Sequence, residues 1–191
     1  MMSEDPFTDI IALTVEKIDE VGIPYAITGS IASGLHGEPV SSQDVDFVLR
    51  MTPEQARRLA ASLPRRIYCN AERLEAIARN GGMVNLIDPD TGIKIDLSVM
   101  PQDPFSDAIF ARRLSMKYGP DGPEFDTVSA EDIILMKLVW RKDSRSTKQW
   151  ENALSVVRAK GATLDWKYLF EQSRRLDIED DLISLRDEGG V

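Results

Sequence analysis

Cysteine and histidine are almost missing from this chain of 191 residues, which carries one of each. A lone Cys69 excludes an internal disulfide and a cysteine-built zinc site. A lone His36 excludes a histidine-rich metal site and leaves Ser-His-Asp chemistry resting on that one residue. Basic residues are also short, with 23 Lys and Arg against 32 Asp and Glu and a net charge of -9. That balance disfavours a broad groove that neutralises many phosphates, while leaving a local basic patch and a short RNA contact open. Long apolar runs do not occur. The stretch "DIILMKLVW" is too short to cross a membrane, and the acidic start "MMSEDPFTD" lacks the basic and then apolar order of a signal peptide. The expected location is the cytoplasm, with no membrane partner. What remains, 42% apolar and 29% charged, suits a globular protein with one good core and room for a small appended lobe.

Periodicity divides the chain in two. Residues 8–21, "TDIIALTVEKIDEV", place Ile10, Leu13, Thr14, Lys17, Ile18 and Val21 at helical spacing, and Gly22 with Pro24 supplies a stop. A short strand, "YAIT", follows, and "DVDFVLR" reads as a second. In "TPEQARRLAASLP" Thr52 is an N-cap, Pro53 takes the first helical position and Gln55 completes a capping box. "AERLEAIARN" predicts another helix. "GMVNLI" and "GIKIDLSVM" flank the turn formers "DPDTG" and predict a β-hairpin. This α+β core is expected over residues 1–115. "KYGPDGPEFDTV" breaks the pattern and reads as a linker or extended excursion, so residues 116–191 form a linker and a helical lobe. There Ser129 with Asp132 caps "AEDIILMKLVWRK", "TKQWENALSVVRAK" ends at Gly161, Asp165 caps "WKYLFEQSRRL", and "EDDLISLRDE" frays into Gly189 and Gly190.

Chemistry concentrates in residues 25–50, "YAITGSIASGLHGEPVSSQDVDFVLR". Residues two apart on a strand share a face, so Asp44 and Asp46 project together while Val45, Phe47 and Leu49 project the other way. Aspartate is depleted in strands and adjacent carboxylates repel. A divalent cation between them accounts for the pair, and magnesium, which takes hard oxygen ligands, is the natural one. A solvated strand end accounts for "DVD" equally well. Gly29-Ser30 closes an apolar strand, where glycine allows a close backbone approach, serine offers a hydroxyl, and "SIASGL" can open a helix whose free amides attract phosphate. Gly-Ser also makes ordinary turns. In "IKIDLSV", Ile93, Ile95, Leu97 and Val99 form one face and Lys94, Asp96 and Ser98 the other. Asp96 therefore completes a metal site if its strand neighbours the first, or else sits on an exposed hairpin face.

Taken in order, "GS", thirteen intervening residues, "DVD" and a distal strand aspartate resemble the signature of the DNA polymerase β-type nucleotidyltransferase superfamily. The resemblance implies a mixed β-sheet flanked by helices, with a C-terminal helical lobe. It also implies that Gly29 and Ser30 bind nucleotide phosphates, that Asp44 and Asp46 bind metal ions, and that Asp96 is the third ligand or the base. The tail "TVSAEDIILMKLVWRKDSRSTKQWENALSVV" looks like that of small stand-alone prokaryotic members, a group that includes toxins of abortive-infection toxin-antitoxin pairs. A lysine on this helix reaches the phosphates in such families, which implies that role for Lys137; a lysine snorkelling from a buried stem reads the same way. Related tails carry acids where this chain has Gln149 and Asn152.

The implied activity is transfer of a nucleoside monophosphate from a nucleoside triphosphate, ATP among them, to an acceptor hydroxyl, with two Mg2+ ions and release of pyrophosphate. An RNA 3′ end, a protein side chain and a small hydroxylated molecule such as an aminoglycoside are all open as acceptors, and a cognate antitoxin is an open partner. The alternative is a non-catalytic nucleotide- or partner-binding module of a toxin-antitoxin or defence pair. Arg141, Arg145 and Lys148 make a locally basic stretch, read as a triphosphate or RNA contact or as scattered surface charge. His36 and Glu38 read as loop residues, Cys69 as a small core residue, and Trp140, Trp150 and Trp166 as helix packing.

Overall fold

The structure, a computed structural model, describes residues 5–39, 42–119 and 122–191. The chain folds into two compact units, one made of residues 1–28 with 42–127 and the other of residues 29–41 with 128–191.

The first unit holds a six-stranded mixed sheet whose elements are α1 (Pro6–Val21), β1 (Tyr25–Ile27), β2 (Asp44–Leu49), α3 (Pro53–Ser62), α4 (Ala71–Asn80), β3 (Gly82–Ile87), β4 (Lys94–Val99), α5 (Pro104–Arg112), β5 (Leu114–Lys117) and β6 (Glu124–Thr127). The second unit supplies α2 (Gly29–His36) to the numbering, and strand order across the sheet is β3-β4-β2-β1-β6-β5. β2 runs antiparallel to β1 and parallel to β4, and β3 closes one edge as a hairpin with β4. The apolar alternation of the sequence becomes one dry face. Val45, Phe47, Leu49, Leu97, Ile95, Val84 and Leu86 are all buried there. α3 packs on α1 and α4, and α4 packs on β3 and β4, so helical stripes cover that side of the sheet.

Local chemistry accounts for most boundaries. The α3 capping box is complete, with Thr52 Oγ1 accepting from Gln55 N and Gln55 Oε1 accepting from Thr52 N. α1 begins two residues earlier than its periodicity suggests, because Asp5 accepts from Phe7 N and Thr8 N ahead of Pro6. Its buried face also takes in Ile11 and Val15. Two elements depart from expectation. α5 is an additional helix, although Asp103 caps it and Pro104 opens it. The stretch expected as a linker or extended excursion supplies the last residue of β5 and all of β6, an antiparallel hairpin whose inner residues Phe125 and Thr127 are buried. Glu124 and Asp126 hide the strand pattern because acids are poor strand formers. Arg113, just before β5, forms an ion pair at 2.5 Å with Asp126 on β6.

The second unit is helical, with α2, α6 (Ala130–Ser144), α7 (Thr147–Lys160), α8 (Trp166–Arg175) and α9 (Glu179–Gly189), and a 3-10 turn at Gly161–Thr163. The middle of α6 is buried all round, with Ile133, Ile134, Leu135, Met136 and Leu138 together with Asp132 and Lys137 out of solvent, which makes it the central helix of this unit. α7 packs on α2, α6 and α9, and α8 on α6 and α9. Gly161 does not close α7 in the left-handed conformation, since its φ is -47°. A Cβ there would lie 2.4 Å from Val191 Cγ1, so a larger residue would displace the Val191 side chain. Among the described residues, no helix is long and apolar enough to cross a membrane.

Candidate active site

In the sheet unit, β2 and β4 are neighbouring strands. Their parallel register places Asp46 beside Asp96 and Asp44 beside Lys94. Directly paired residues point to the same face, and neighbouring strands lie about 4.8 Å apart. Asp44, Asp46 and Asp96 therefore share the polar face of the sheet, each half-buried, behind which Val45, Phe47, Ile95 and Leu97 are fully packed. The main chain holds β2 rigidly at this end. Thr28 N donates to Asp46 O at 2.9 Å, and Ser42 Oγ donates to Asp44 O at 2.9 Å. On the other side of Asp96, the edge strand sets Asn85 in register with it, and the Asn85 side-chain amide donates to Asp96 Oδ1. Sequence reasoning misses Asn85, whose only signal is its place on the polar face of a predicted hairpin.

An oxygen-only donor set of this kind suits a hard cation such as Mg2+. Among the described residues, no three His, Cys, Asp or Glu side chains are gathered tightly enough to form a metal cage. The sheet thus aligns the three carboxylates on one face without drawing them into contact.

In the helical unit, α2 starts at Gly29 itself. Gly29 has a φ of +65°, a left-handed conformation that costs an L-residue roughly 1–2 kcal/mol and costs glycine almost nothing. Ser30 is buried on the first turn, and Ser33 Oγ donates back to Gly29 O at 2.9 Å. The backbone therefore needs glycine at the head of this helix for conformation alone, and the first-turn amides supply the positive end of its dipole. Lys137 does not snorkel. The whole residue is 3% exposed, and its Nζ lies 5.2 Å from the centroid of the Trp140 ring.

The basic stretch resolves into individual roles. Arg141 pairs with Asp181 at 3.0 Å and stacks on Trp150 at 4.6 Å, whereas Arg145 takes the left-handed C-cap of α6 and Lys148 is exposed. Gln149 Oε1 and Asn152 Nδ2 are buried with no hydrogen-bond partner among the described residues. Trp150 Nε1 donates to Glu188 and Trp166 Nε1 to Gly161 O, as packing residues do, but Trp140 is 39% exposed. Glu38 N donates to Ser155 Oγ at 3.0 Å. Cys69 is half-buried, and burial pushes its thiol up, away from reactivity.

His36 is not a loop residue. It ends α2, is buried, and its Nε2 lies 2.8 Å from Val128 O. A carbonyl only accepts, so Nε2 carries the proton of a neutral imidazole, and Nδ1 is left buried with no partner among the described residues. Burial lowers its pKa from the ordinary 6.5, opposed by the bond to Val128, with Lys160 lowering it further and Glu131 raising it. Because the folded value is the lower one, the unfolded chain binds the proton more tightly. The stability contribution is thus complete above about pH 6.5 and is lost as pH falls from there through the folded value. Thermal melts across this range should show an acid-side loss that His36→Gln lacks; parallel curves for the two proteins would remove His36 as its source.

No protein-family model and no curated protein matches the sequence. Solved structures do match. One is an antigenic nucleotidyltransferase-like protein from Paracoccidioides brasiliensis, at 21% identity over 98% of this chain and 91% of that one, with a TM-score of 0.62. Another is the antibiotic-resistance factor ANT(2″)-Ia, at 16% identity over 93% of this chain and 97% of that one, with a TM-score of 0.54. At these identities the likeness concerns the fold: a mixed α+β fold of nucleotidyltransferase type, with a six-stranded sheet and flanking helices.

Proposed function

We propose that this protein is a metal-dependent nucleotidyltransferase that moves a nucleoside monophosphate from a nucleoside triphosphate to an acceptor hydroxyl. The observation that carries the reading is the register of β2 and β4, which sets Asp96 beside Asp46 on the face that also bears Asp44, in a chain with a nucleotidyltransferase-type fold. Asp44, Asp46 and Asp96 would hold Mg2+, two ions being the natural complement, and bound there the metal supplies charge neutralisation at the transferring phosphate and a lowered pKa for the attacking hydroxyl. The residues themselves bind and orient. The backbone amides opening α2 at Gly29, with the Ser30 hydroxyl, hold outer phosphates, and Lys137 adds a cation to that task. Asp96 accepts the acceptor's proton as its oxygen attacks the α-phosphorus. The new P–O bond forms while the bond to the bridging oxygen breaks, and pyrophosphate leaves with that electron pair.

The acceptor is an RNA end, a protein side chain or a small hydroxylated molecule, and a role as toxin with a cognate antitoxin extends the same reading. The test is direct. Purified protein with Mg2+ and labelled nucleoside triphosphates, ATP first, should label RNA, protein or an aminoglycoside, and Asp46→Asn should not. In the same preparation Lys137→Met should weaken triphosphate binding more than threefold; a smaller change, under roughly 1 kcal/mol, would remove Lys137 from the site. Nucleotide binding without labelling of any acceptor class would make the chain a non-catalytic nucleotide-binding module.

A further inference from the structure

We infer that Asn85 is a positioning residue that fixes the Asp96 carboxylate, an inference that rests on Asp96 being the third carboxylate of the proposed site. β3 is the edge strand, and β4 lies between it and β2, so Asn85, Asp96 and Asp46 form one row across the polar face. Directly opposed residues on antiparallel strands hold their Cβ atoms about 4.5–5.5 Å apart, within reach of a side-chain hydrogen bond. The Asn85 amide donates to Oδ1 of Asp96, which holds the carboxylate in one rotamer and leaves Oδ2 free of that bond. A carboxylate has two oxygens and about four lone-pair sites, so this bond orients Asp96 without exhausting it. An amide suits the task because it supplies the donor without adding charge: a lysine would pull the carboxylate into an ion pair, and an aspartate would repel it.

The pairing depends on register, and the hairpin pins its register at the turn. Asp88 N donates to Ile93 O at 3.0 Å and Gly92 N to Asp88 O at 2.8 Å. The Asp88 carboxylate, almost fully buried, accepts from Asp90 N at 3.1 Å and pairs with Arg66. The free edge of β3 is pinned as well, because Tyr68 and Ile87 exchange two backbone hydrogen bonds of 2.8 and 3.1 Å. A slip of one residue would turn Asn85 to the dry face and put Leu86 or Val84 against Asp96. Two separate fastenings thus keep the amide opposite the carboxylate. Asn85 is itself exposed and supports no core, which separates its effect on Asp96 from any effect on folding.

Partners that orient a metal ligand typically change metal affinity or activity by about 10–100-fold when removed. Mn2+ alone, titrated calorimetrically into the metal-free full-length protein, reads this without any catalytic assay. Asn85→Leu, which keeps the branching of the side chain and removes the donor, should bind Mn2+ about ten-fold or more weakly than wild type. Its melting temperature should be unchanged, and Asn85→Gln should recover part of the affinity. In turnover, Asn85→Leu should lower kcat with the nucleotide KM within about twofold, because its target is the carboxylate and not the triphosphate. Wild-type Mn2+ affinity in Asn85→Leu would overturn the positioning role while leaving the carboxylate site intact. Mn2+ affinity that Asp96→Asn also fails to alter would instead overturn the reading of Asp96, and the inference with it.

Discussion

Replacing Asp96 by Asn is expected to leave the metal-free protein at least as stable as wild type, and to remove most of the stabilisation that magnesium and a nucleoside triphosphate confer. Asp96 and Asp46 are register partners on adjacent strands, so two like charges face each other across roughly 5 Å and repel by about 1 kcal/mol at a water-like dielectric. The substitution relieves that repulsion. It also keeps the one hydrogen bond seen at Asp96, because the new side-chain oxygen can still accept from Asn85. In a chain of this size about 1 kcal/mol corresponds to a rise of roughly 2–4 °C in Tm. The ligand effect runs the other way. At a hundred times its dissociation constant a ligand stabilises the folded state by about 2.7 kcal/mol, roughly 5–10 °C here, and a protein that has lost a metal carboxylate should forfeit most of it. Melts of both proteins in EDTA and in Mg2+ with nucleotide decide the matter. A variant that melts lower without metal yet retains the full ligand-induced rise would make Asp96 an ordinary strand residue.

A second large effect is expected at Asp132, in the helical unit. This carboxylate is fully buried in the first turn of α6. It accepts from the Ser129 hydroxyl at 2.7 Å and from the Tyr168 hydroxyl at 2.6 Å, while its own backbone N–H donates to Ser129 Oγ at 3.1 Å. One side chain thus strengthens the N-cap of α6 and fastens α8 to it. Hydrogen bonds to charged groups are worth about 1.5–3 kcal/mol each, and alanine removes the acceptor that both hydroxyls share. Asp132→Ala should therefore cost at least about 3 kcal/mol, lowering Tm by roughly 6–12 °C. Tyr168→Phe, which removes the Tyr168 bond alone, should cost less. The double variant should fall short of the sum by about 1 kcal/mol or more, as coupled neighbours do. Strict additivity would mean that the Tyr168 bond contributes nothing to the fold.

The elements legible in the sequence are those whose instructions are local. Thr52, Pro53 and Gln55 announce α3 within four residues, and "DPDTG" between two alternating runs announces the β3–β4 hairpin. Asp103-Pro104 carries the same kind of instruction for α5, but no clear apolar period follows it to mark a helix. The β5–β6 hairpin has no such marker. Its strands are only four residues long, β6 carries two acids, and β6 belongs to the sheet through Ile27 and Thr127, which are far apart in the chain. His36 reads as a loop residue for a related reason: the carbonyl that receives its proton belongs to Val128, and nothing near His36 in the sequence points there.

For the candidate site, the sequence by itself determined which groups could act and which way each faces on its own element. The two-residue period of a strand puts Asp44 and Asp46 on one side and Val45 and Phe47 on the other, whatever the strand pairs with. Gly29-Ser30 likewise reads as a step that can open a helix, while the left-handed angle that glycine takes there at little cost came only with the fold. Tertiary structure alone decided which of these groups are neighbours. The β2–β4 register sets Asp96 beside Asp46, the β3–β4 register sets Asn85 beside Asp96, and packing around α6 buries Lys137. The physical reason is that alternation and capping are properties of adjacent residues. Register is fixed by the side chains that must be buried together and by turns such as the one Asp88 pins, and those partners are chosen only when the sheet assembles.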